Sequence, residues 1–414
     1  LGVFFVERMR TYVFLLLTRT FNLTFISSDL LRSFDPRLIL FLKRNKRTRS
    51  QAPGACCLGV LNLATRTQIM ASQSVDIVDS SLRDGSHCSG HALTVEEISR
   101  YCAFAERSGI PFVDVGHGNG LGGSSLLIGE SATSDAEMLH AARRVLKESK
   151  LVVHLIPGLA SLSRDVNLAI DCGVDLFRVA SHCTEATVTK SYIEYLARRG
   201  KEVHGVLMMT AHADTSILIE NALHMQDYGA SAVIIMDSTG TYLPDDVAER
   251  IHALRQSLRI SIGFHAHNNL GCAVANSISA VQNGASIIDV CIKGFGAGAG
   301  NAPLEVVVPV LHRIGADTGI DVGQLISEAD ISTTYLVTKH PTIEPINVLT
   351  GLQKLFSGFE KPIMAASKMF DIPYHEIVAS LGDRNVLAGQ EDIILEVAER
   401  LSSSKKASRL NDTV

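Results

Sequence analysis

The stretch Val75-Asp76-Ile77-Val78-Asp79-Ser80-Ser81-Leu82-Arg83-Asp84-Gly85-Ser86-His87 runs from a β-branched apolar segment straight into a guanidinium, a carboxylate and an imidazole. Seven further apolar runs follow it: Phe112-Val113-Asp114-Val115, Leu151–Ile156, Leu176–Ala180, Val203–Met209, Ala232–Asp237, Ile260–His265 and Ile287–Ile292. Helical stretches lie between them. One covers Thr94–Arg107 and opens on the capping pattern Thr94-Val95-Glu96-Glu97; another covers Pro244–Leu258, with proline at its start. Gly173, Gly229 and Gly284 each stand shortly before a strand and suit helix C-caps. Eight β-α units in succession predict an α/β fold, a (β/α)8 TIM barrel, in preference to an open doubly wound sheet of fewer strands.

In such a barrel, chemistry gathers at the C-terminal ends of the strands. Those ends carry Arg83-Asp84, His117, Arg178, Asp237 and the pair His265/His267. Two histidines one residue apart on a strand project to the same face, so His265 and His267 can reach one ion with Asp84 as the carboxylate. The competing reading of a lone His-x-His is structural. Mixed His/carboxylate ligation with open positions suits Mn²⁺, Mg²⁺, Co²⁺ or Zn²⁺, and an oxygen-rich substrate favours Mn²⁺ or Mg²⁺.

Composition sets the outer limits. The 414 residues are 46% hydrophobic and 20% charged, enough for one large catalytic domain with an appendage. The eight cysteines form no CxxC pair, which argues for a reducing compartment and against a disulfide framework or a structural zinc site. Residues 1–69 hold eleven Lys/Arg against Glu7, Asp29 and Asp35, while the remainder holds twenty-seven against forty acidic residues. The acidic body disfavours nucleic acid as a partner. Apolar runs in the basic segment fall far short of the roughly 20 residues of a membrane span. Its Arg-rich, acid-poor character fits a mitochondrial presequence, and the alternative is an unfolded leader ahead of a start at Met70. The expected organisation is an extension over 1–69, a barrel over 70–316 and a helical domain over 317–414. A cytoplasmic protein is expected, or a mitochondrial one if the extension is a presequence.

Six separated motifs carry a specific resemblance. They are Leu82-Arg83-Asp84-Gly85-Ser86-His87, Gly116-His117-Gly118-Asn119-Gly120-Leu121-Gly122-Gly123-Ser124-Ser125, Arg178–Glu185, Phe264–Leu270, Gly296–Glu305 and Gly389-Gln390-Glu391-Asp392. From Met70 onward the chain resembles the metal-dependent 4-hydroxy-2-oxovalerate aldolases, barrel lyases related to HMG-CoA lyase and isopropylmalate synthase. The resemblance implies a metal held by Asp84, His265 and His267, with Asn301 as an additional ligand. The glycine-rich loop around Asn301 reads equally as a backbone anion nest. It implies that Arg83 stabilises a pyruvate enolate and that His87 takes the 4-hydroxyl proton, with His91 as a substitute base. The bland readings are a salt bridge of Arg83 with Asp84 and a loop-capping His87. Substrate contacts are expected at Arg83, Ser238, Leu352 and His265, and His117, His182 and Cys183 are expected to shape the pocket. An oligomer is expected, and the family's helical domain joins an acylating aldehyde dehydrogenase; the bland reading of this region is a cap over the barrel.

The sequence also departs from the family pattern. A family tyrosine that contacts the substrate hydroxyl aligns with Leu352, the acid after His-Gly is Asn119, and the acidic position of the second strand is the shorter Asp114. Leucine donates no hydrogen bond, so a related carbon–carbon lyase or condensing enzyme, acting on a different 2-oxo acid or an acyl-CoA, is the alternative to the aldolase. A non-catalytic subunit is the third reading, opposed by the complete Asp/His/His set.

Overall fold

The computed structural model describes residues 73–411, apart from residues 127, 331–334, 337–339, 383, 385 and 388. The extension expected over 1–69 lies outside the described residues. Strands β1 (Asp76–Leu82), β2 (Phe112–Val115), β3 (Lys150–Leu155), β4 (Leu176–His182), β5 (Glu202–Met208), β6 (Ala232–Asp237), β7 (Ser261–Ala266) and β8 (Ile287–Val290) pair in parallel in sequence order. The barrel closes where β8 pairs with β1, Val78 opposite Asp289. The expected α/β TIM barrel is the fold.

Helices α1 (Val95–Ser108), α2 (Asp135–Val145), α3 (Asn167–Asp171), α4 (Lys190–Ala197), α5 (Thr215–Tyr228), α6 (Pro244–Ser257) and α7 (Ala273–Gln282) connect the strands, and α8 (Leu304–Arg313) follows β8. Their ends follow local chemistry. Thr94 and Glu97 form a capping box at the start of α1, and α6 begins on Pro244, whose missing N–H costs nothing there. Gly229 caps α5 at φ 109°, a left-handed conformation that glycine adopts without a steric penalty.

The period of two along each strand sorts side chains between two cores. Ile77, Val113, Val153, Phe177 and Phe264 face the helices in the larger cluster. Val78, Phe112, Val152, Leu176, Ile234 and Ile287 fill the barrel's inside. Two positions further along, the same inward parity brings Asp114, His154, Arg178, His265 and Asp289 to the interior. A polar layer therefore sits on an apolar floor at the end where the strands finish.

After α8 come α9 (Val322–Ala329), α10 (Pro345–Leu352), α11 (Glu360–Phe370), α12 (Tyr374–Gly382) and α13 (Glu391–Asn411). Ile320, Leu325, Ala329 and Leu336 belong to the barrel's outer cluster, which extends past residue 317. A separate apolar cluster holds Ile346, Leu355, Phe359, Ile363, Ile377, Leu381, Ile394 and Val397. Among the described residues no helix is long and apolar enough to cross a membrane.

Candidate active site

Asp84 opens the 3-10 turn Asp84–His87 directly after β1, while His265 on β7 and His267 just beyond it point the same way. Their ligand atoms lie within 4.8 Å of one another, and all three residues are buried. Asp84 Oδ2 is 3.7 Å from His265 Nε2 and 3.9 Å from His267 Nε2. Asp289 on β8 accepts from His265 Nδ1 at 2.9 Å, which leaves the Nε2 lone pair facing Asp84. That Nε2 is buried and has no hydrogen-bond partner. One carboxylate oxygen and two imidazole nitrogens, one of them orphaned and oriented from behind, fit a divalent cation with positions left open for oxygen ligands.

Arg83 stands beside this set. Its Nη1 lies 3.3 Å from Asp84 Oδ1 and donates to the Gly118 carbonyl at 3.3 Å, and its Nε donates to Asp114 Oδ2 at 3.1 Å. Burial works against the Asp84 carboxylate, yet Arg83 and the nearby His267, His265 and His87 hold its pKa well below the usual range. Burial pushes His267 down to about 3 and His87 down to about 4, against the pull of Asp84 on both. These imidazoles are neutral at pH 7, as ligation and proton acceptance both require.

His87 Nε2 is 3.9 Å from Asp84 Oδ1. The His91 ring packs edge-on against His87, with centroids 4.9 Å apart, and stacks on His117 at 3.8 Å. His91 Nδ1 is 3.1 Å from Ser86 Oγ, and burial pushes the ring's pKa down to about 3. A cavity of about 490 Å³ opens at His87 and His91, walled across by Gly298, His340, Glu360 and Lys361.

Other expected residues take different places. Asn301 is buried beside the cluster: its Nδ2 donates to Asp84 Oδ2 and, at 2.8 Å, to the Phe295 carbonyl, so the amide face turned to Asp84 is a donor. Ser238 accepts from the Met209 N–H at 2.9 Å through its hydroxyl, and its carbonyl accepts from the Ser357 N–H at 3.1 Å. It ties segments together and does not line the cavity. Leu352 was expected at a substrate contact, but it ends α10 on the outer face with its side chain 61% exposed. The face α10 buries is Ile346, Asn347, Thr350 and Gly351. Asp237 turns to its own loop and accepts from Thr239, Thr241 and Tyr242, and burial raises its pKa to about 6. His117 reaches the Gly129 carbonyl at 3.1 Å, His182 pairs with Thr184 at 2.8 Å, and the Cys183 thiol lies buried against the Met209 carbonyl.

Sequence reading did not single out Asp289. Its signal was present in Ile287-Ile288-Asp289-Val290, where a carboxylate shares the inward parity of Ile287. His340 and Lys361 carry no such signal, because only the fold brings them to the cavity.

Comparison with known proteins follows the same division. Residues 74–331 match the HMGL-like family and residues 341–403 match the DmpG-like communication domain. The 4-hydroxy-2-oxovalerate aldolase of Spirochaeta aurantia is 49% identical over 330 residues, covering 80% of this chain and 97% of that protein. The 4-hydroxy-2-oxovalerate aldolase of Pectobacterium atrosepticum is 46% identical over 337 residues, covering 81% and 98%. The carboxyl transferase domain of Rhizobium etli pyruvate carboxylase, solved with pyruvate and biocytin, superposes with a TM-score of 0.69 at 16% identity, over 82% of this chain and 62% of that one. At that identity the likeness is one of fold alone. Identity near half, over almost the full length of those relatives, places the chain in the HMGL-like family, and within it the chain belongs to the 4-hydroxy-2-oxovalerate aldolases.

Proposed function

We propose that this protein is a divalent-metal-dependent aldolase that cleaves a 4-hydroxy-2-oxo acid, such as 4-hydroxy-2-oxopentanoate, to pyruvate and an aldehyde. The observation that carries the reading is the convergence of Asp84, His265 and His267 within 4.8 Å, with Arg83 at 3.3 Å from Asp84 and the neutral His87 beside them. A bound divalent ion, with Mn²⁺ the best match to an oxygen-rich ligand set, would supply Lewis-acid polarisation of the 2-oxo acid.

His87 accepts the proton of the 4-hydroxyl, the C3–C4 bond breaks, and C4 leaves as the aldehyde carbonyl. The electron pair passes into the enolate of pyruvate, and Arg83 faces the charge that grows on its oxygen toward the transition state. Protonation at C3 completes pyruvate. Arg83 is locked for this task by Asp114 and the Gly118 carbonyl, so it needs little reorganisation. Asn301 holds the Asp84 carboxylate in place through a charge-assisted hydrogen bond. The exposure of Leu352 weighs against a substrate contact there, and with it goes the reason to prefer another carbon–carbon lyase.

The match of residues 341–403 to a communication domain supports an acylating aldehyde dehydrogenase as partner and aldehyde acceptor. The test is pyruvate release from 4-hydroxy-2-oxopentanoate by the full chain with Mn²⁺. Turnover is expected in the parent. Asp84→Asn should lower it by roughly 100-fold or more, beyond the effect of losing a residue that only supports a ligand. Parent protein that binds Mn²⁺ and yields no pyruvate would overturn the reading.

A further inference from the structure

We propose that Arg178 is a positioning residue that couples the two halves of the site, setting both the metal ligand His265 and the reactive Arg83 from one guanidinium across the barrel. Arg178 projects inward from β4 and is fully buried. On one side its Nη2 donates to Asp289 Oδ2, the same oxygen that accepts from His265 Nδ1 at 2.9 Å. On the other its Nη1 lies 3.7 Å from Asp114 Oδ2, the same oxygen that accepts from Arg83 Nε at 3.1 Å. Each carboxylate thus shares one oxygen between Arg178 and a functional side chain, and displacing the guanidinium displaces both.

The arrangement is poorly explained as stabilisation. Buried ion pairs gain little over apolar packing of the same volume, because desolvation offsets the Coulombic attraction. Asp114, Arg178 and Asp289 are each at most 1% exposed; Arg178 Nη1 makes no hydrogen bond and meets Asp114 only as an ion pair, and Arg178 Nε has no hydrogen-bond partner. A network built for stability would satisfy those donors. A network built for placement needs only the two shared oxygens. Sequence alone hides the relation, since strands β2, β4, β7 and β8 contribute one member each.

The experiment is to replace Arg178 with Met and, in parallel, with Lys, which keeps the charge but cannot fork toward two carboxylates. Two quantities are measured on the full chain: Mn²⁺ affinity by calorimetric titration without substrate, and kcat at saturating Mn²⁺ with 4-hydroxy-2-oxopentanoate. Outer partners of ligands typically carry 10- to 100-fold effects, so each readout is expected to worsen about tenfold or more. Asp289→Asn should weaken Mn²⁺ affinity, whereas Asp114→Asn should lower kcat with Mn²⁺ affinity within about twofold of the parent. Arg178 variants that fold, with altered melting temperature and both readouts unchanged, would overturn the proposal. A change confined to one readout would also overturn it, because Arg178 would then serve one side only. The kinetic arm rests on the aldolase reading, but the titration does not, so a parent without aldolase activity still reports on His265.

Discussion

His87, His91 and His267 show what burial does to one side-chain type at one place. Their folded pKa values of about 4, 3 and 3 lie below the unfolded value of about 6.5, chiefly because burial penalises the imidazolium. The unfolded chain therefore takes up protons that the folded chain refuses. Stability from these groups is present above about pH 6.5 and is lost as pH falls toward about 4. Asp79 and Asp237, raised by burial to about 6, act in the opposite sense, favouring the folded state below about pH 4 and losing that contribution as pH rises through 6. The comparison with a variant is thus more informative than the parent's slope. His91→Asn, unfolded by urea with chelator present at pH 7 and pH 5, should lose less stability between the two than the parent. Equal losses would show that His91 is not held neutral by the fold. Arg83→Lys tests geometry at this scale, because a lysine cannot reach Asp114, Asp84 and the Gly118 carbonyl together. We expect kcat to fall roughly 100-fold or more with Mn²⁺ affinity within a few-fold of the parent, measured by titration and steady-state kinetics.

The loop after β2 decides how closely the elements approach. A Cβ on Gly118 would lie 2.4 Å from His87 Nε2 and 2.7 Å from His91 Cε1, so only glycine lets this loop pass under both rings. Gly118→Ala should push the His87 ring aside at small cost in stability, since the ring is the free end of a side chain. A misplacement near 1 Å costs on the order of 100-fold in rate, which is the expected fall in kcat, with a melting temperature close to the parent's. An unchanged kcat would remove His87 from the chemistry or show that its placement is loose. Elements were also where sequence reading was strongest. Thr94 and Glu97 start α1 by satisfying its free N–H groups, and strand parity alone brings Arg178 and His265 inside.

Across the molecule, a few hydrogen bonds centred on Ser357 join the C-terminal helices to the barrel mouth. The Ser357 N–H donates to the Ser238 carbonyl at 3.1 Å, and its Oγ lies 2.7 Å from Asn269 Oδ1. Asn269 in turn donates to Thr350 Oγ1 at 3.1 Å, and His212 Nε2 sits 2.7 Å from the Lys354 carbonyl. These bonds, buried at Ser357 and Asn269 and exposed at His212, hold Gly358, Glu360 and Lys361 at the cavity wall facing His87. Ser357→Ala leaves Asn269 without that donor and should cost about 1–3 kcal/mol in urea unfolding. We also expect a raised KM with Mn²⁺ affinity unchanged, since the metal ligands all belong to the barrel. A KM equal to the parent's would mean that the helices do not shape the substrate side of the cavity.

Resemblance of its motifs to the aldolases grouped Arg83, Asp84, His87, His265 and His267 as site candidates, while the sequence by itself determined the eight β-α units and the end of the barrel where chemistry gathers. Those features are local: apolar periodicity, capping residues and parity are read within a few positions of each other. Only the tertiary structure decided which residues complete the site from a distance. Leu352 ends α10 and Ser357 follows five residues later, yet Leu352 faces solvent while Ser357 lies on Ser238. Asp289 reaches His265 from the neighbouring strand, Arg178 reaches Asp114 and Asp289 across the barrel interior, and Lys361 reaches the mouth from the C-terminal helices, because the closed barrel and the docked helices bring together residues far apart in the chain. Sequence separation carries no signal for such contacts, since they depend on which side chains the strands aim into one shared interior and on where the C-terminal helices dock.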